Sequence, residues 1–198
     1  MTISKITNDL KGYDKFPPVD KWNPEICEGQ EFYIDREGSW FYNNSPIKNI
    51  KLLNLFSTVL KKETDSYYLV TPVEKVPVKV ELAPYVIIDF KINNDSVLLS
   101  TNLNYEFILD KNNSTRLIKY GDSYIPIAMV RSNIEGFFNR NTYYNLVEIA
   151  LNNEYINDDS VLLTTNLNYE FILDKNNSTR LIKYGDSYIP IATVRSNI

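Results

Sequence analysis

The sequence predicts an α+β fold of two small β-rich modules, roll-like and mostly antiparallel, with packed helices and a duplicated C-terminal β segment. Three observations predict it. Short runs rich in Val, Ile, Tyr and Phe alternate with polar residues and are punctuated by turn residues such as Asp35-Arg36-Glu37-Gly38 and Gly121-Asp122. Only a few stretches carry apolar residues at helical spacing. Residues 92–134 recur at 156–198, with three differences in 43 aligned positions: Asn94/Asp158, Ser100/Thr164 and Met129/Thr193. The boundaries that follow are an N-terminal β-rich module with one helix (1–84), an α+β module (85–155) and the duplicate (156–198).

Taken in order, Ile3, Ile6 and Leu10 suit a short helix over residues 1–12. Pro17-Pro18 and Asn23-Pro24, with Trp22 between them, favour an extended docking segment over 13–30. Residues 31–34 and 39–42 read as a hairpin, with Gly38 placed for a positive φ. Ser45-Pro46 suits a helix N-cap and first helical position. Leu52, Leu53, Phe56, Val59 and Leu60 form the apolar face of a helix over 47–60, with Lys61 and Lys62 at its C-terminal end. Residues 67–70 read as a strand. Val76, Val78, Val80 and Leu82 alternate with polar residues, and Pro77, lacking an N–H, points to an edge strand. The continuous apolar run 85–90 reads as a central strand.

The repeated block is all β, with strands at 97–101, 105–109, 115–120 and 123–130. Gly121-Asp122 suits a two-residue hairpin turn with Gly first. Ser132-Asn133-Ile134-Glu135 has the spacing of a capping box. The helix expected after it, broken near Asn139-Arg140-Asn141, carries Tyr143, Leu146, Val147, Ala150 and Leu151 on one face. A near-identical pair marks a recent duplication or a construction artefact. An evolved solenoid would have about three or more drifted units. Both copies encode the same strands and compete for one docking surface. Copy two is therefore expected to add an edge strand or two to the sheet, or to exchange strands in a homodimer.

Composition excludes more than it assigns. The chain of 198 residues is 43% apolar, so a core needs no metal or disulfide, and Cys27 is the single cysteine. There is no histidine, which removes Ser-His-Asp and Cys-His mechanisms and His-ligated metals. The net charge of −4 argues against nucleic acid and anionic membrane as partners. No apolar run approaches about 18 residues and the start has no apolar leader core, so a soluble cytoplasmic protein is expected. No cofactor is expected, because six scattered glycines make no phosphate loop. No metal is expected either. Asp110-Lys111-Asn112-Asn113-Ser114 begins like a calcium loop but has Thr115 and Gly121 where the glycine and glutamate belong.

Several stretches together resemble a bacterial family, domain of unknown function 1285. They are Trp22-Asn23-Pro24, the run from Gly38-Ser39-Trp40-Phe41-Tyr42 to Ile47, Leu55-Phe56-Ser57-Thr58-Val59-Leu60, Leu69-Val70-Thr71-Pro72-Val73-Glu74-Lys75-Val76, and Tyr124-Ile125-Pro126-Ile127 leading into Glu135-Gly136-Phe137-Phe138. The resemblance spans about residues 14–152. It implies two small β-rich modules with helices packed on them, and no established activity. A role in signalling or ligand sensing has been suggested for such folds, by analogy alone.

Candidate site residues each carry a plainer alternative. Glu74 and Lys75, at a strand corner after Thr71-Pro72, would anchor a polar ligand, or simply form a solvated turn. Trp40, Phe41 and Tyr42, with Trp22 upstream, would line an aromatic pocket, or simply pack the core. Arg131 and Arg140 flank the expected helix start and would hold an anion there, or simply form surface ion pairs. The favoured function is a non-enzymatic binding or regulatory module for a small ligand or a protein. One alternative is a small enzyme using carboxylate, Lys or Tyr groups in a cleft between modules. Another is a mis-assembled sequence with no selected function for 156–198.

Overall fold

In the computed structural model, Phe32–Ile34 (β1) and Trp40–Tyr42 (β2) form the expected hairpin. The structure describes residues 16–27, 29, 31–93, 96–109, 115–121, 123–151, 154–157, 160–164, 169–174, 179–184 and 187–192. The helix expected over 1–12 lies outside them. The chain divides into two compact units, residues 1–85 and 86–198.

In the first unit, the hairpin turn is held from within. Asp35 Oδ1 accepts from the N–H groups of Glu37 (3.0 Å) and Ser39 (2.8 Å), and Gly38 has φ +80°. The next two residues to turn are Asn43 and Asn44, at φ +45° and +61°, which leads Ser45–Pro46 back as a short edge strand, β3. This corrects the expected helix start. Asn tolerates the left-handed region, and an edge strand spares Pro46 the ladder bond it cannot donate. The helix begins later, as α1 (Ile50–Thr58). Its N-cap is Asn49, whose Oδ1 accepts from Lys51 N–H (3.1 Å) and Leu52 N–H (3.3 Å). Asn49→Ala should therefore cost about 1 kcal/mol in urea unfolding. Ser45→Ala, the substitution that should matter if Ser45 were the cap, should stay within about 0.5 kcal/mol.

The helix also ends early. Val59 and Leu60 are both fully buried, and Leu60–Glu63 is a strand, β4, not a last helical turn. Lys61 and Lys62 thus lie on a sheet edge, where lysine discourages further strand pairing. β4 pairs with β5 (Ser66–Val70), and β5 with β6 (Lys75–Val80), which runs parallel to β1. The sheet order is β3-β2-β1-β6-β5-β4. β6 is central, against the edge position that Pro77 suggested. The Lys75 N–H donates to Glu25 O and the Glu81 N–H to Ile34 O, both away from β5. Alternation sends the Pro77 nitrogen to that same side. There it falls in a gap, after the Ile26–Lys75 bridge and before β1 begins opposite Val78. A proline with no partner to lose is tolerated in mid-sheet. The helix packs on the face carrying Phe32, Ile34, Trp40, Leu69 and Val76, all buried. Phe56 meets Phe32 edge-on at 5.4 Å and stacks with Trp40 at 6.5 Å.

In the second unit, β7 (Tyr85–Asn93) is central as expected. β8 (Ser96–Thr101), β9 (Glu106–Ile108), β10 (Thr115–Tyr120) and β11 (Ser123–Arg131) match the four strands read in copy one. Gly121 has φ +59° in the two-residue turn. The capping box is not one. Ser132 turns at φ +48° and Ile134–Phe138 is a fifth strand, β12, paired with β11. Its buried Ile134, Phe137 and Phe138 outweigh the local signal, and Glu135 instead takes Arg116 at 2.8 Å. The helix α2 (Arg140–Leu151) starts after it, with Asn139 Oδ1 accepting from the Thr142 N–H at 2.7 Å. Leu146 is half-buried, while the side chains of Val147, Ala150 and Leu151 lie outside what is described.

This sheet has the order β10-β11-β12-β7-β8-β9. A third sheet follows, with β13 (Glu154–Asn157), β14 (Ser160–Thr164), β15 (Tyr169–Asp174), β16 (Thr179–Tyr184) and β17 (Ser187–Ala192) paired in chain order. Among the described residues, copy two therefore makes a sheet of its own and adds no edge strand to the second sheet.

Candidate functional site

Residues along a strand alternate between its two faces. In the first unit this puts Tyr33, Phe41, Tyr68, Lys75, Pro77 and Lys79 on the face opposite the helix. Register brings them together: Tyr33 is opposite both Phe41 and Lys79, Tyr68 is opposite Pro77 and Lys61, and Val70 is opposite Lys75. The result is a band of half-exposed aromatic rings flanked by cations. The rings of Tyr33 and Phe41 lie 5.8 Å apart, and Lys79 Nζ sits 5.8 Å above Tyr33.

Two polar clusters bound the band. At one end the Tyr33 hydroxyl donates to Glu81 Oε2 at 2.5 Å. That bond, with the Glu81 charge, holds the phenol in its neutral form and pushes its pKa up to about 12. At the other end Lys75, buried among its neighbours, donates to Glu63 Oε2 and lies 4.3 Å from the centre of the Tyr68 ring. Lys61 reaches the second oxygen of Glu63 at 3.0 Å. Hydrogen bonds from Lys75 and then Lys61 hold the Glu63 carboxyl below the usual carboxylate range. The chemistry on offer is cation–π contact, stacking and hydrogen bonding around pre-paired charges.

The Tyr33 arrangement carries a titration prediction. Folding raises this pKa, so the stability the bond contributes is complete below the ordinary tyrosine value. It should fade as pH climbs from about 10 toward 12. In 13C spectra of labelled tyrosine, one ring should titrate last. Glu81→Gln should bring that ring down toward its fellows, and Tyr33→Phe should remove it. A spectrum in which all rings titrate together would contradict the arrangement.

The sequence candidates fall in different places. Lys75 joins the band. Glu74 is buried beside it, its backbone closing the turn: the Thr71 N–H donates to Glu74 O at 2.9 Å and the Glu74 N–H to Thr71 Oγ1 at 3.1 Å. Trp40 lies in the core on Phe56, and Tyr42 packs its ring 4.8 Å from Phe32 on that same inner face. Trp22 is half-buried after the 3₁₀ turn Val19–Lys21, donating its backbone N–H to Val19 O. Arg131 and Arg140 do not share a helix start, because β12 separates them. Arg140 turns to Tyr144, 3.2 Å from its hydroxyl. Phe41, the middle residue of the aromatic run, faces outward and joins the band, whereas Tyr33, Tyr68, Glu63, Lys79 and Glu81 carry no local signal that marks them. Their alternation was visible in the sequence, but the β1–β6 pairing that gathers them was not.

Among the described residues no group of three or more His, Cys, Asp or Glu side chains is placed to hold a metal. Among the same residues no helix is long and apolar enough to cross a membrane.

Residues 17–83, which contain this whole face, match the family model for the N-terminal domain of domain of unknown function DUF1285. Two solved structures are similar over most of their own length. One is a DUF1285 family protein from Silicibacter pomeroyi DSS-3, with TM-score 0.70 and 27% identity, covering 94% of this chain and 93% of that one. The other is a DUF1285 family protein from Shewanella baltica OS155, with TM-score 0.50 and 30% identity, covering 62% of this chain and 94% of that one. No curated protein matches the chain.

Proposed function

The chain belongs to the DUF1285 family, and from that premise we propose that it is a non-enzymatic binding module of the cytoplasm whose ligand or protein partner docks on the outer face of the first sheet. The observation that carries this reading is the band of Phe41, Tyr33, Tyr68 and Pro77 with Lys79 beside it. Aromatic rings and proline supply apolar contact at small entropic cost, and Lys79 and Glu81 supply orientation. The charged groups support binding over catalysis. A general acid at neutral pH needs a carboxyl raised toward 7, whereas Glu63 is lowered. Lys75 is engaged by Glu63 and Tyr68, which suits a positioning role for the strand corner.

The test is a protein-observed NMR screen with small molecules and short peptides. Amide shifts should cluster on Tyr33, Phe41, Tyr68, Pro77's neighbours and Lys79. Tyr33→Ala with Phe41→Ala should weaken any hit by about tenfold or more while leaving the core face untouched. Generic esterase, phosphatase and protease substrates should show no turnover. Turnover that copurifies with the protein and disappears in Glu63→Gln would overturn the reading.

A further inference from the structure

The same strand sequence occurs at β9 and β15, and only β15 is flanked on both sides. β15 lies between β14 and β16. Among the described residues β9 pairs with β8 alone and ends its sheet. The opposite end of that sheet is β10, whose sequence Thr-Arg-Leu-Ile-Lys-Tyr is that of β16. The second sheet therefore ends in two strands that are neighbours in the third.

Backbone parity says how they would meet. The Leu109 N–H donates to Val97 O, and Tyr105 O accepts from the Thr101 N–H, both at 2.9 Å. Odd positions of β9 thus face β8, and Glu106 and Ile108 turn their N–H and C=O outward. On β10, the two-residue turn makes Tyr120–Ser123 the first bonded pair with β11, so Leu117 and Lys119 turn outward. The β15–β16 register sets Glu170 opposite Lys183 and Ile172 opposite Leu181. Their counterparts in copy one are Glu106 with Lys119 and Ile108 with Leu117, the four outward positions. Glu106 and Lys119 are exposed and opposite in charge, and Ile108 is 50% exposed.

We propose that the β9 edge takes β10 of a second copy of this chain in the β15–β16 register, joining sheets head to tail. Such a contact is heterologous, so it builds a ring or an open chain of copies and not a two-fold dimer. No strand leaves its own sheet, which distinguishes it from exchange. The outward N–H and C=O groups of β9, which ends its sheet among the described residues, supply the affinity, and the charge pair sets the register.

The test is sedimentation velocity of the full chain from micromolar to millimolar concentration. The mass should rise with concentration. Glu106→Lys or Lys119→Glu should each raise the self-association Kd by about tenfold or more, because an opposite-charge pair becomes a like-charge one. The double variant, with the pair reversed, should associate again. β17 lies near β10, so the two edges are probed separately. A peptide of residues 114–121 should shift the Glu106 and Ile108 amides, and one N-methylated at Leu117 and Lys119 should not. A wild-type chain that stays monomeric at millimolar concentration would overturn the proposal. So would a double variant that stays dissociated, or a peptide that leaves β9 untouched. Charge reversals that move the melting temperature and leave the mass unchanged would place the pair inside one chain and overturn it as well. None of these outcomes bears on the outer face of the first sheet.

Discussion

Trp40→Ala should lower the unfolding free energy by about 3–5 kcal/mol, the range for removing a large buried ring. Trp40 is 1% exposed and stacks on Phe56, which itself meets Phe32, so truncation opens a void under α1 that two fixed rings cannot fill. The indole N–H adds a second, opposite effect. It is buried and has no acceptor among the described residues, a condition that costs free energy in the folded state. Trp40→Phe loses ring volume but relieves that cost, and should come out at less than about 2 kcal/mol. Urea unfolding of both variants checks the pair of values. A loss below about 1 kcal/mol for the alanine variant would put the ring at the surface and make Trp40 a candidate for binding again.

The second large effect is expected at Lys75→Met. Removing one member of a fully buried ion pair costs about 3–5 kcal/mol. Here Glu63 keeps 35% of its side chain in solvent and retains Lys61, so the expected loss is about 2 kcal/mol. The pH dependence identifies the cause. Folding lowers the Glu63 pKa, with Lys75 as the largest contributor. The stability this supplies is complete above the ordinary carboxylate value and is lost as pH falls through the lower, folded value. Wild type should therefore lose more stability than Lys75→Met on acidification below about pH 5. Equal acid limbs would mean that Lys75 stabilises only by packing its stem on Tyr68.

The candidate face was legible in part. Phe41 beside Trp40 and Tyr42, and Lys75 beside Glu74, stood out because aromatic clusters and charged corners are local patterns. Which of the three aromatics faces solvent follows from alternation once one of them is assigned to the core. Lys79 and Tyr33 are 46 positions apart in the chain (79 minus 33) and share a face only because β1 and β6 run parallel. No period in the sequence announces that pairing.

What the sequence determined alone is short-range. The spans of β8 to β11, the positive φ at Gly38 and Gly121, and the central place of β7 follow from side-chain alternation and turn chemistry within a few residues. Where local signals conflicted with burial, the tertiary structure decided. Ser45-Pro46 and Ser132-Asn133-Ile134-Glu135 look like helix starts, yet neither opens a helix: Asn43 and Asn44 turn the chain back so that Ser45–Pro46 becomes an exposed edge strand, and the buried Ile134, Phe137 and Phe138 draw the second stretch into β12. Pro77 looks like an edge marker and sits in mid-sheet, because a gap in the ladder accommodates it. The duplicate separates the two kinds of information most cleanly. Residues 105–120 and 169–184 have one sequence and overlapping strands, but β9 and β10 end opposite sides of a sheet while β15 and β16 lie side by side. Strand formation is set within the strand. Strand order is set by whatever else competes for its edges, and in copy one β8, β7, β12 and β11 lie between β9 and β10.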